Sequence, residues 1–169
     1  SRDLFIGVTG SFGNTICARA CEAVLLQKFK TVSNILSDGA LQAIPDILLR
    51  LTPQTKKVVL EFKTEFNGEM DFNLSLVIPK IIVYTNVGLA NYEYLDNLED
   101  ILEEKSKVAM QLSKDGIAIL NWDDPNSKKI ADKCSGNVVY YGSDFKNCLV
   151  SAGNVKLEDF RTTIELNVG

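Results

Sequence analysis

Three glycines behind a short apolar strand constrain this chain more than any other feature. Leu4-Phe5-Ile6 runs into Gly7-Val8-Thr9-Gly10-Ser11-Phe12-Gly13-Asn14-Thr15, and a helical pattern opens near Thr15. Glycines at 7, 10 and 13 let the backbone turn tightly and aim N–H groups at one point, and a helix start there adds partial positive charge. Strand, glycine loop and helix in this order is the pattern of a phosphate loop, whose last glycine is normally followed by Lys and then Ser or Thr. The hydroxyl is present as Thr15, but the lysine position holds Asn14. Gly10, Ser11, Gly13, Asn14 and Thr15 are therefore the candidate phosphate-binding residues of a loop that lacks its main point charge.

Beyond the loop the chain alternates between strand and helix patterns. Short, nearly continuous β-branched runs recur at Leu4–Val8, Val58–Leu60, Ile81–Tyr84, Ile117–Leu120 and Val138–Tyr141, as expected of strands buried on both faces. Between them Thr15–Phe29, Gly39–Leu51, Leu95–Leu112 and Pro125–Cys134 read as helices. The alternation predicts an α/β fold with a mainly parallel sheet flanked by helices. The tail reads differently. Phe160, Ile164, Leu166 and Val168 follow a period of two, and with Cys148–Ser151 and a turn at Gly153-Asn154 they predict an antiparallel β-hairpin added to the sheet. At 169 residues one domain is expected, residues 1–146 forming the parallel core and 147–169 the hairpin extension.

Composition narrows the partners. With 24% charged residues, a net charge of −4 and no basic stripe, nucleic acid is not expected as a partner. No segment reaches the roughly 18 apolar residues of a membrane span, no secretory signal is read, and a cytoplasmic location is expected. The chain contains no histidine, the commonest general base and transition-metal ligand. Cys17 and Cys21 share one helical face, and with Cys134 and Cys148 they form no CxxC pair; they read as small core residues.

In an open parallel sheet, ligands bind at the carboxyl ends of the strands. Beside the glycine loop those ends carry Glu61, then Thr85 and Asn86, then Asn121, Asp123 and Asp124. A hydroxyl, a carboxylate and amides at a phosphate loop suit a Mg²⁺-nucleotide. One further residue is out of place. Leu98, Leu102, Ala109 and Leu112 mark the apolar stripe of their helix, and Lys105 falls on it. A lysine facing a core needs a partner or a function, unless its stem snorkels to solvent. Lys107 and Lys114 lie off the stripe and read as solvated.

These pieces in this order resemble the central ATPase domain of the Mur ligases, the ADP-forming amide ligases of peptidoglycan synthesis. The residues from Gly7 to Thr15 are similar to that family's G-x-T-G-[ST]-x-G-K-T loop. Leu60-Glu61 with Asn67-Gly68-Glu69-Met70 resembles the segment with its Mg²⁺-binding glutamate. Pro79 to Gly88 resembles its strand ending in Thr-Asn-Ile-Gly, and Asp115 to Pro125 its D-G-x-x-x-x-N-x-D-D-P segment. Ser11 and Asn67-Gly68-Glu69 are most similar to the D-alanyl-D-alanine-adding branch.

The resemblance implies ATP and Mg²⁺ as cofactors, with Thr15 and Glu61 as metal positions. It places Lys105 at the lysine the family carbamylates, and Asn91 at a metal-binding histidine; these two are the catalytic positions it implies. Lys107 stands where the family has an acidic residue. The family's adenine-contacting Gly-x-His-Asn motif would come after Val168-Gly169, and flanking ligase domains are the expected partners. With Asn at 14 and 91, weak or lost Mg-ATP binding and weak or absent ligase activity are expected. An unmodified Lys105 is expected to reach the cleft near Glu61 and Asn91 and to pair with Glu61. The alternative is a non-catalytic interaction or scaffold module that kept the fold, and a nucleotide-binding regulator is a third reading.

Overall fold

The computed structural model describes residues 4–35, 41–89 and 97–169. Among the described residues eight strands form one sheet in the order β2-β3-β1-β4-β5-β6-β7-β8. They are β1 (Phe5–Thr9), β2 (Thr31–Ser33), β3 (Lys57–Glu61), β4 (Ile81–Tyr84), β5 (Ile117–Asn121), β6 (Asn137–Gly142), β7 (Val150–Glu158) and β8 (Arg161–Val168). Every pairing from β2 to β7 is parallel, and β7 and β8 pair antiparallel. β1 lies between β3 and β4, so the chain builds outward from it first one way and then the other. Its carboxyl end is therefore the switch point at which such sheets bind ligands.

Among the described residues five helices connect the strands: α1 (Asn14–Leu26), α2 (Ala43–Leu49), α3 (Glu69–Leu76), α4 (Leu98–Met110) and α5 (Pro125–Ala131). Alternate strand residues face opposite ways, and this sorts the packing. Val58 and Leu60 join Ile82, Tyr84, Ala118 and Leu120 in the main core, against α2, α3, α4 and α5. Val59 and Val8 face the other way, onto Ala18 of α1. Beside α1, Ile6, Ile81, Val83 and Ile119 border an apolar groove of about 400 Å³ with Val24 and Leu25.

Two elements carry too weak a pattern to be read from sequence. β2 is only three residues long, with one apolar side chain. α3 buries Glu69 and Asn73 as well as Met70 and Leu74, so its inward face is half polar. The tail is a hairpin on the sheet, but its turn is not at Gly153-Asn154. β7 runs through those residues with a register shift between Gly153 and Lys156. Asn154 takes a positive φ of 48°, so the Gly-Asn pair makes an irregularity within the strand. The chain reverses at Asp159-Phe160, where Phe160 has φ of 113°. β7 meets β6 at only Tyr141–Val150 and Gly142–Ser151.

α3 is held from α4. The buried Glu104 carboxylate accepts hydrogen bonds from the backbone N–H groups of Gly68 (3.0 Å) and Met70 (2.9 Å). It thus caps the N-terminus of α3, where a carboxylate also meets the helix dipole favourably. Lys107 pairs with Glu104 and with Asp71 (2.6 Å). It is therefore not simply solvated, and it does not replace an acidic group so much as neutralise one. Burial lowers the Lys107 pKa, but hydrogen bonds to Asp71 and Glu104 outweigh this and raise it. Glu104→Ala leaves the buried Met70 N–H unpaired, and should cost about 2–3 kcal/mol. For a domain of this size that lowers the thermal midpoint by roughly 5–10 °C, measurable by circular dichroism.

Candidate functional site

The glycine loop is fixed by the exit of β4. Asn86 accepts at its backbone carbonyl from the Ser11 N–H (3.0 Å) and at its side-chain oxygen from the Phe12 N–H (3.1 Å). Its amide donates back to the Phe12 carbonyl (2.9 Å), as does the Thr85 hydroxyl (2.8 Å). Ser11 Oγ donates to the Gly88 carbonyl (2.7 Å) and accepts from the Gly88 N–H (3.0 Å). The Thr-Asn-x-Gly segment is thus a clamp on the loop. Two loop N–H groups expected to face a ligand are used by it.

The clamp explains Gly10, and backbone conformation explains Gly13. A Cβ on Gly10 would lie 1.9 Å from Thr85 Oγ1, so any side chain there forces the clamp apart. Gly13 sits at φ 74° as the N-cap of α1, a left-handed conformation that glycine adopts without strain. No side chain caps α1, so its first-turn N–H groups are the donors the loop presents.

At the start of α1 three candidate residues meet. Glu61 Oε1 accepts from Asn14 Nδ2 (2.7 Å) and from Thr15 Oγ1 (2.8 Å). The Glu61 backbone is held by Asn34, which accepts from its N–H (2.7 Å) and donates to its carbonyl (3.1 Å). Sequence reasoning did not single out Asn34; an isolated Asn after a three-residue strand carries no pattern that could have revealed it. One carboxylate and one hydroxyl fit the manner in which Mg²⁺ binds, with phosphates and water completing its shell. Among the described residues no three Asp, Glu, His or Cys side chains form a metal cage.

The second polar cluster is structural. Asn121 Nδ2 donates to the Thr85 carbonyl (3.0 Å). Asp124 caps α5 by accepting from Asn126 N (3.0 Å), and its other oxygen accepts from Val87 N (2.7 Å). Asp123 binds the Ser143 N–H (2.8 Å) and hydroxyl (2.7 Å). These residues reach the carboxyl end of the sheet, yet they brace its loops rather than converge on the cleft.

Lys105 is buried, 3% exposed, and does reach the glycine loop. Its Nζ donates to the Gly10 carbonyl (2.9 Å) and to Thr64 Oγ1. The expected pairing with Glu61 is not formed; the Lys105 ammonium is held by Gly10 and Thr64 instead. Burial depresses the Lys105 pKa to about 8, against the opposing pull of Glu69 and Glu104. Burial also raises the pKa of Glu69, whose Oε1 has no hydrogen-bond partner among the described residues. Asn91 lies outside the described residues. Cys17 and Cys21 are partly buried against the α1 core. Their mutual hydrogen bond raises the pKa of Cys17 and lowers that of Cys21 to about 7.

Residues 8–168 match the model of the Mur ligase middle domain. UDP-N-acetylmuramoyl-tripeptide–D-alanyl-D-alanine ligase of Escherichia coli K12 is 31% identical over 121 residues, covering 70% of this chain and 26% of the relative. The Mycobacterium leprae ligase of the same name is 30% identical over 134 residues, 79% of this chain and 26% of the relative. The chain thus spans about a quarter of the length of these relatives. MurF from Acinetobacter baumannii superposes with a TM-score of 0.88 at 22% identity, covering 99% of this chain and 37% of that one. MurF ligase from Thermotoga maritima, in complex with ADP, superposes with a TM-score of 0.87 at 22% identity, covering 98% and 38%. No helix among the described residues is long and apolar enough to cross a membrane.

Two measurements check this geometry. Gly10→Ala should break the Thr85–Phe12 contact and destabilise the protein by roughly 1–3 kcal/mol, seen as a lower urea midpoint. Lys105, with a folded pKa near 8, binds fewer protons than the unfolded chain between about pH 8 and pH 10.4. Its contribution to stability therefore rises with pH across that window. Urea denaturation of wild type relative to Lys105→Met should show this rise, and equal pH profiles would contradict it.

Proposed function

The chain belongs to the Mur ligase middle-domain family, and from that premise we propose that it is the ATP-binding middle domain of a D-alanyl-D-alanine-adding peptidoglycan ligase. Such an enzyme phosphorylates a substrate carboxylate with ATP, and amine attack on the acyl phosphate then gives the amide and releases phosphate. Flanking domains would bring the UDP-sugar and amino-acid substrates. The observation that carries this reading is Glu61 Oε1 bound by both Asn14 and Thr15 at the first turn of α1. The carboxylate ties the start of α1 to the end of β3, and its place beside the Thr15 hydroxyl also suits a Mg²⁺ shared with nucleotide phosphates. When bound, the ion would stabilise charge on the transferred phosphoryl group.

Asn14 tempers the activity. An amide donates a hydrogen bond but brings no charge, and loss of one charge-assisted bond is worth about 1.5–3 kcal/mol. Removing one transition-state stabiliser typically costs about 10²–10³ in rate. We therefore read the site as one of weak nucleotide affinity and weak turnover. Calorimetric titration of Mg-ADP should give binding weaker than micromolar, improved about tenfold or more by Asn14→Lys. Micromolar or tighter binding to the wild type would overturn the weakness. Absence of binding in both proteins would leave the scaffold reading instead.

A further inference from the structure

We propose that Lys63 is the cation that meets nucleotide phosphate in this cleft, in place of the lysine that the glycine loop lacks; this rests on the nucleotide reading above. The cleft is a cavity of about 160 Å³. Gly10, Ser11 and Asn14 form one side of it, and Glu61, Lys63 and Glu65 line it from the segment that leaves β3. Lys63 therefore shares a cavity with the position where the charge is missing.

Its availability separates it from the other cation at hand. Lys105 is buried and already donates to Gly10 and Thr64. Lys63 is only partly buried and, among the described residues, makes no hydrogen bond or ion pair. An ammonium on a flexible four-carbon stem is a mobile point charge, suited to following a phosphate rather than to holding a fixed geometry.

The charge around the cavity requires such a group. Glu61 and Glu65 both line it, so without a cation a polyphosphate would enter against two carboxylates. Mg²⁺ at Glu61 offsets one of them. Lys63 offsets the other and leaves the first-turn N–H groups of α1 free to bind phosphate oxygens.

Calorimetric titration of Mg-ADP against the full-length protein, extended to millimolar nucleotide, tests this assignment. Four proteins are compared: wild type, Lys63→Gln, Lys63→Gln with Asn14→Lys, and Lys114→Gln as a remote charge control. Lys63→Gln should weaken binding about tenfold or more, with a smaller salt dependence than wild type and an unchanged thermal midpoint. Adding Asn14→Lys should restore most of the affinity, because the charge returns from the other wall. The control should bind as wild type. Equal affinity of wild type and Lys63→Gln would overturn the role of Lys63 and leave the nucleotide reading standing. A weakened Lys63→Gln that Asn14→Lys fails to restore would also overturn it, assigning the loss to the fold. No binding by wild type would remove the nucleotide reading itself.

Discussion

Asn86 holds the glycine loop at the carboxyl end of the sheet. Its backbone and side chain make three hydrogen bonds to Ser11 and Phe12, so the exit of the neighbouring strand shapes the glycine loop together with the loop's own glycines. A glycine-rich segment loses more conformational entropy on ordering than any other. Bonds that cross from one strand end to another offset that loss. The clamp fixes where α1 starts, and α1 fixes where Asn14 and Thr15 meet Glu61. Braces from Asn121, Asp124 and Tyr141 hold the β4 end in turn.

The fold was largely legible because its signals are local. Parallel strands buried on both faces declare themselves as β-branched runs, and β1, β3, β4, β5 and β6 each had one. β2 and α3 escaped, since neither carries an apolar pattern: β2 is too short, and α3 turns Glu69 and Asn73 inward. The hairpin was visible, but its turn was misplaced by a Gly-Asn pair whose positive φ serves an irregular strand instead.

The site was legible in its parts and not in its connections. Loop glycines, Thr15 and Glu61 stand in readable motifs. What each polar residue bonds to does not. Thr85, Asn86, Asn121, Asp123 and Asp124 sit at the carboxyl ends of their strands, as expected, yet their hydrogen bonds go to the protein's own backbone and to Ser143. Lys105 interrupted an apolar stripe and so could be recognised as buried. Its partner could not, because Thr64 and the Gly10 carbonyl carry no mark in the sequence.

The groove beside α1 bears on how this chain behaves in a test tube. A parallel sheet is ordinarily covered on both faces, but among the described residues Ile6, Ile81, Val83 and Ile119 border an open groove beside α1. Val24, on the same helix, is 71% exposed. A net charge of −4 supplies modest repulsion between copies, and that repulsion is screened within about 10 Å at 0.1 M salt. Apolar contact between such grooves is instead strengthened by sulfate and phosphate. The open sheet face thus adds to the exposed apolar side chains of the tail, Leu157, Phe160 and Val168 among them, and salting-out salts favour self-association of the chain in isolation.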